Sequence, residues 1–119
     1  MQIEGSVALV TGANRGLGKA YAAALLAAGC ARVYAGARDP SAVTDPKLVP
    51  VRLDVTKPDE IAQAASQCSD VNLLINNAGV MHSSPMLAEG SETAMRAEME
   101  VNVFGVLGMT RAFAPILKR

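Results

Sequence analysis

The sequence carries no net charge, because eleven lysines and arginines are matched by eleven aspartates and glutamates. That balance leaves no electrostatic footprint for nucleic acid or an anionic membrane surface, so neither is expected as a partner. Cysteine is scarce: Cys30 and Cys68 stand alone, far apart and outside metal-ligand spacing. They read as small core residues, not as a disulfide framework, and no metal site is expected. The single histidine, His82, has no carboxylate or cysteine partner in sequence and reads as a loop residue. Residues Met1 to Gly5 are polar and lead straight into Ser6-Val-Ala-Leu-Val10, without the basic start, apolar run and cleavage site of a secretory leader. A reduced, cytoplasmic setting is therefore expected.

Long apolar runs are missing too. The stretch 20–37 contains Gly29 and Arg32, and 101–117 contains Asn102, Arg111 and Pro115. A membrane span needs about 20 uninterrupted apolar residues, so both read as pieces of a packed core. There is no internal repeat and no low-complexity segment. What is present is a chain of 119 residues, half of them hydrophobic, the make-up of one small domain with a core of its own.

Segments of strand character alternate with segments of helical period. Val7 to Thr11 is a short apolar run ending in glycine; Leu17 to Ala28 is rich in alanine and leucine, with Gly29 as its stop. Ala31 to Ala37 is β-like, followed by a loop with Pro40, Pro46 and Pro50, where helix is disfavoured. Leu48 to Val55 reads as a third strand, and Thr56 as the cap of a helix running to about Cys68, with Pro58, Asp59 and Glu60 in its first turn. Val71 to Ile75 is nearly all apolar, as in a parallel strand covered on both faces. A loop with His82 and Pro85 leads to a long helix from about Ser91 to Lys118. Met81, Met86, Met95, Met99 and Met109 read as core or substrate-side packing. The alternation predicts an α/β fold, a doubly wound parallel sheet of Rossmann type holding the first four strands and their helices, as one partial dinucleotide-binding domain over 1–119.

Between the first strand and the first helix lies Thr11-Gly12-Ala13-Asn14-Arg15-Gly16-Leu17-Gly18. A glycine straight after the strand permits a tight turn, and bare positions 16 and 18 let a pyrophosphate approach backbone amides at a helix start. Counting separates this loop from its neighbours. A Walker loop puts four residues before Gly-Lys, whereas five separate Gly12 from Gly18, and Ala20 follows Lys19. The G-x-G-x-x-G fingerprint is not matched either, since the glycines fall at 12, 16 and 18.

The spacing G-x-x-x-G-x-G behind a threonine resembles the short-chain dehydrogenase/reductase family of the classical type. Three further segments are similar to that family's signatures, in the same order: Leu53-Asp54-Val55-Thr56, Asn76-Asn77-Ala78-Gly79, and Asn102 on the long helix. The resemblance covers essentially the whole chain. It implies an oxidoreductase that moves hydride between a nicotinamide dinucleotide and a carbonyl or alcohol substrate. It also implies that Gly12, Asn14, Arg15, Gly16, Leu17 and Gly18 hold the pyrophosphate side. Asp54 and Val55 would meet the adenine, and Asn76, Ala78 and Gly79 the ribose, with Asn102 serving the proton relay.

Cofactor choice turns on charge. A free ribose 2′-hydroxyl is usually met by an acid at the end of the second strand; here stand Gly36 and Ala37, then Arg38. Arg15 and Arg38 together favour a 2′-phosphate, hence NADP(H) over NAD(H), with Asp39 read as pointing to solvent. Plainer readings stand beside these: Gly12 as a turn glycine, Arg15 and Arg38 as solvated charges, Asp54 as a helix-entry acid, and Asn76 or Asn77 as satisfying strand-end amides.

The family's Tyr-x-x-x-Lys pair and its serine are absent. Tyr21 is followed four places on by Leu25, and Tyr34 by Arg38. The chain is thus expected to be inactive alone, a truncated form whose fourth strand and long helix are covered by a missing C-terminal half or a second subunit. A non-catalytic dinucleotide-binding or scaffold module is the alternative. A methyltransferase-type fold wants an acid where Arg38 stands.

Overall fold

The computed structural model of the chain describes residues 2–80 and 86–119. His82 and Pro85, assigned above to a loop, and Met81, assigned to packing, lie outside the described residues. The apolar runs extend as β1 (Val7–Val10), β2 (Arg32–Ala37), β3 (Val49–Arg52) and β4 (Leu73–Ile75). All four pair in parallel in the order β3-β2-β1-β4, with Val10 level with Ala35 on one side and Ile75 on the other. The helices are α1 (Gly16–Ala27), α2 (Pro58–Gln67), α3 (Ser91–Met99) and α4 (Val106–Leu117). A π-helical segment, Glu100–Gly105, joins α3 to α4, so the long helix expected over 91–118 is continuous but locally widened.

Alternation along the strands divides the core in two. Ala8, Val10, Val33 and Ala35 pack with Ala22 and Leu25 of α1 on one face. Leu9, Tyr34 and Val51 pack on the other with Ile61 of α2 and Met109, Phe113 and Ile116 of α4. A sheet covered on both faces is what its near-continuous apolar strands require. Gly29 closes α1 at φ +96°, and the N–H of Cys30 returns to the carbonyl of Leu25, as in a helix end capped by glycine.

Several expectations change. Pro50 belongs to β3 and not to the preceding loop; β3 is an edge strand, where a missing N–H is tolerated. Thr56 does not cap α2: the cap position is Lys57, and the Thr56 N–H and O–H both donate to Asp54. Ser91 is the first residue of α3, behind Gly90 at the cap. β4 is shorter than the run read over 71–75, three half-buried residues at the sheet edge, with Leu74 packed against one core and Leu73 and Ile75 against the other. Of the described methionines assigned to packing, Met109 is fully buried, whereas Met86, Met95 and Met99 are exposed.

At the end of the sheet where the strands begin, Asp70 bridges two residues of β2. It accepts from the Arg32 guanidinium at 2.7 Å and from the Tyr34 hydroxyl at 2.8 Å. No helix among the described residues is long and apolar enough to cross a membrane.

The cysteines report on this packing. Cys68 is fully buried, and burial, with Asp70 nearby, pushes its thiol up to about 12. Cys30 is half-buried and its thiol is also raised by burial. A thiolate-selective reagent at pH 8 is expected to modify Cys30 in the folded protein and Cys68 only after denaturant is added. Equal labelling of the two in the native protein would contradict the packing of α2 against the sheet.

Candidate functional site

The site is built where β1 and β4 end. Thr11, buried, follows β1, and its hydroxyl oxygen accepts the backbone N–H of both Asn77 and Ala78 at 2.9 Å. In return the Asn77 side-chain amide donates to the carbonyls of Thr11 and Gly12, each at 3.2 Å. These bonds satisfy backbone groups that the sheet ladder leaves behind at the strand ends. Of the two asparagines, it is therefore Asn77 that serves the strand ends.

Two glycines then become obligatory. Gly12 turns the chain at φ +62°, a conformation side chains resist. A Cβ at Gly18 would lie 2.2 Å from the Gly12 carbonyl oxygen and 2.4 Å from the Asn77 amide nitrogen. The start of α1 thus closes onto the loop and onto the asparagine behind it. The Ala13 N–H, bonded to the Gly36 carbonyl at 2.9 Å, fastens the loop to β2.

The first turn of α1 has no side-chain cap and no acidic residue, while α2 carries Asp59 and Glu60 in its first turn. Helix-start amides lacking a partner, together with the positive end of the helix dipole, suit an anion from outside. They face a cleft of about 590 Å³ at the C-terminal edge of the sheet. That volume is within the usual range for small-molecule sites, roughly 300–1,000 Å³.

Of the residues read from sequence, Gly12, Asn14, Arg15, Gly16 and Leu17 line this cleft on one side. Arg38, Asp54, Val55, Ala78 and Gly79 line it on the others. Gly18, Asn76 and Asn102 do not. Gly18 is buried behind the loop, and Asn76 is exposed at the end of β4. Asn102 sits in the π-helical segment and clamps Val80: its side-chain oxygen accepts the Val80 N–H and its amide donates to the Val80 carbonyl, both at 2.8 Å. Its side chain therefore acts as a short strand partner for the segment leaving β4. A π-helical widening at such a place is a frequent companion of function.

The charges on the wall are arranged unevenly. The Arg15 and Arg38 side chains are exposed, and among the described residues neither guanidinium forms a hydrogen bond or ion pair, although the Arg38 charge bears on Asp54. Asp39, expected to point to solvent, is exposed and is also engaged by its neighbours. Its carboxylate accepts the Ser41 hydroxyl at 2.7 Å and the Ser41 N–H at 3.0 Å, capping a 3₁₀ turn at Pro40–Ala42. Those two bonds from Ser41 hold the carboxyl below its ordinary range. Asp54 is opposed by burial, which pushes its carboxyl up, but the Thr56 hydrogen bonds with Lys57 and Arg38 outweigh this and leave it lowered. Asp54 is thus ionised at neutral pH, and its backbone N–H is held by Glu60 at 2.9 Å.

Sequence reasoning left open which of Asn76 and Asn77 serves the strand ends, and it missed Asp39, Thr56, Val80 and Val101 on the cleft wall. Asp39 and Thr56 carry a readable signal, since an acid two places before Ser or Thr favours a local side-chain turn. Val80 and Val101 carry none, because they meet the cleft only through the fold.

A parallel sheet with helices on both faces and a glycine loop leading from β1 into a helix makes this a Rossmann-type nucleotide-binding fold. The family profile described as short chain dehydrogenase matches residues 6–119, and the chain belongs to that family. It is 36% identical to the short-chain dehydrogenase anuI of Penicillium roqueforti, over 92% of this chain and 49% of that protein. It is 31% identical to the short chain dehydrogenase tazN of Aspergillus terreus, over 98% of this chain and 29% of that one. Among solved structures, a short chain dehydrogenase from Burkholderia cenocepacia in complex with NADP superposes with a TM-score of 0.94 at 52% identity, covering 99% of this chain and 51% of that one. A second, from Burkholderia phymatum in complex with NAD, gives 0.85 at 30% identity, covering 98% and 46%. The chain thus spans about half, or less, of the length of these relatives.

Replacing Thr11 with valine keeps the shape but takes the acceptor from the Ala78 N–H and leaves the Asn77 N–H only the Ile75 carbonyl. The expected cost is ~1–3 kcal/mol by urea unfolding, with Thr11→Ser close to native. A native-like midpoint for Thr11→Val would show that this cross-link does not hold the strand ends.

Proposed function

We propose that this chain forms the dinucleotide site of an NADP(H)-dependent short-chain oxidoreductase. The observation carrying the reading is the pair of guanidinium groups, Arg15 and Arg38, with no hydrogen bond or ion pair among the described residues, on a wall whose adjacent acid, Asp39, is bound to Ser41. Two such groups answer a ribose 2′-phosphate by charge-assisted bonds. The NADP complex of the Burkholderia cenocepacia relative supports the choice. The NAD complex of the Burkholderia phymatum relative shows that a similar fold also accepts the other dinucleotide.

The glycine cradle fits the group: the loop turns without side chains at Gly12 and Gly16, and the first-turn amides of α1 are uncapped. Gly12, Asn14, Gly16 and Leu17 would hold the pyrophosphate segment, with Gly18 letting the helix close behind them. Asp54 and Val55 would hold the adenine edge, and Ala78 and Gly79 the ribose, while Asn76 stands outside the cleft. Asn102 would act from behind, keeping Val80 and the segment after β4 in place. When bound, the nicotinamide supplies or takes up hydride at the carbon of a carbonyl or alcohol substrate.

Neither tyrosine stands four places before a lysine, so these 119 residues hold no Tyr-x-x-x-Lys pair to move the substrate proton. The purified chain is expected to bind dinucleotide and to show no turnover with any carbonyl or alcohol; hydride transfer at ordinary enzyme rates would refute that part of the proposal. Titration should give tighter binding of NADP(H) than of NAD(H). Arg38→Ala should weaken NADP(H) by about tenfold or more while leaving NAD(H) nearly unchanged, the loss of a hydrogen bond to a charged group. Equal native affinities, or an Arg38→Ala protein with its preference intact, would sink the 2′-phosphate assignment.

A further inference from the structure

Two acids, Asp39 and Asp54, line the cleft, and both are held in the same way. Each carboxylate accepts the hydroxyl and the backbone N–H of the residue two places on, Ser41 for Asp39 and Thr56 for Asp54. Asp39 directly follows Arg38 at the end of β2, where an acid ordinarily grips the ribose 2′-hydroxyl. Arg52 reinforces the arrangement. Its guanidinium donates to the Arg38 carbonyl at 3.2 Å, and its charge bears on the Asp39 carboxylate.

We infer that Ser41 is a positioning residue for cofactor choice: by binding the Asp39 carboxylate into the Pro40–Ala42 turn, it withholds from the 2′ position an acid that would grip a hydroxyl and repel a phosphate. This rests on the NADP(H) reading above. Released from the Ser41 hydroxyl, the carboxylate regains side-chain rotations that bring its charge against Arg38 and the 2′ end of the ligand. Either effect favours a ribose hydroxyl over a ribose phosphate. The arginines alone do not set the preference; the acid that follows Arg38 has to be kept occupied.

The test is a cycle of variants read by titration with NADP⁺ and NAD⁺. In Ser41→Ala the ratio of NADP⁺ to NAD⁺ affinity is expected to fall by about fivefold, the worth of one such hydrogen bond. Ser41→Thr keeps the hydroxyl and should keep the native ratio. In an Asp39→Ala background, Ser41→Ala should leave the ratio unchanged, because the group it positions is gone. An unchanged ratio in Ser41→Ala, an equal loss of both ligands, or the same fall in the Asp39→Ala background would each overturn the role of Ser41 while leaving the NADP(H) reading intact. A native protein that does not prefer NADP⁺ would instead remove that reading, and the role of Ser41 with it.

Discussion

Thr11 and Asn77 meet where the central strand and its neighbour run out, and most of the site follows from that meeting. The hydroxyl of one takes two backbone N–H groups, and the amide of the other takes two backbone carbonyls. With the loop pinned this way, no space remains for a side chain where α1 begins, which is why Gly18 stands there. The helix can then start close to the sheet with its amides aimed into the cleft. An anion site at a helix start depends on such closeness, because the dipole effect falls off within a turn.

The rest of the sheet is organised around the same central strand. Val10 and Leu9 of β1 point into opposite cores, one filled by the small residues of α1 and the other by Phe113, Met109 and Ile61. Gly105 repeats the logic of Gly18 at the junction of the π-helical segment and α4, where a Cβ would lie 2.6 Å from the Val55 side chain.

Much of this was legible in the residues. The glycine spacing placed the loop, alternating apolar runs placed all four strands, and the Asn77-Ala78-Gly79 segment placed the far wall. What escaped was decided by competition between neighbours. Thr56 has the chemistry of a helix cap, yet it sits in a local turn in which its N–H and O–H donate to Asp54, and α2 begins past Lys57. Asp39 is an acid among arginines, and no rule of charge alone says that Ser41 will take it. Asn102 was recognisable as out of place in a helix, but its partner, Val80, lies 22 residues earlier and becomes adjacent only in the folded chain. β4 stands at the sheet edge, as its apolar run without a following strand leads one to expect.

The knot of Arg32, Tyr34 and Asp70 lies at the opposite end of the sheet, where the strands begin. It ties β2 to the segment entering β4 across the start of β1, and so acts like the stitched spine of a book. Strand alignment is secured at the spine, away from the open margin where the glycine loop waits. A ligand arriving at that margin finds the spacing of the loop already set, and has little of the sheet left to put in order.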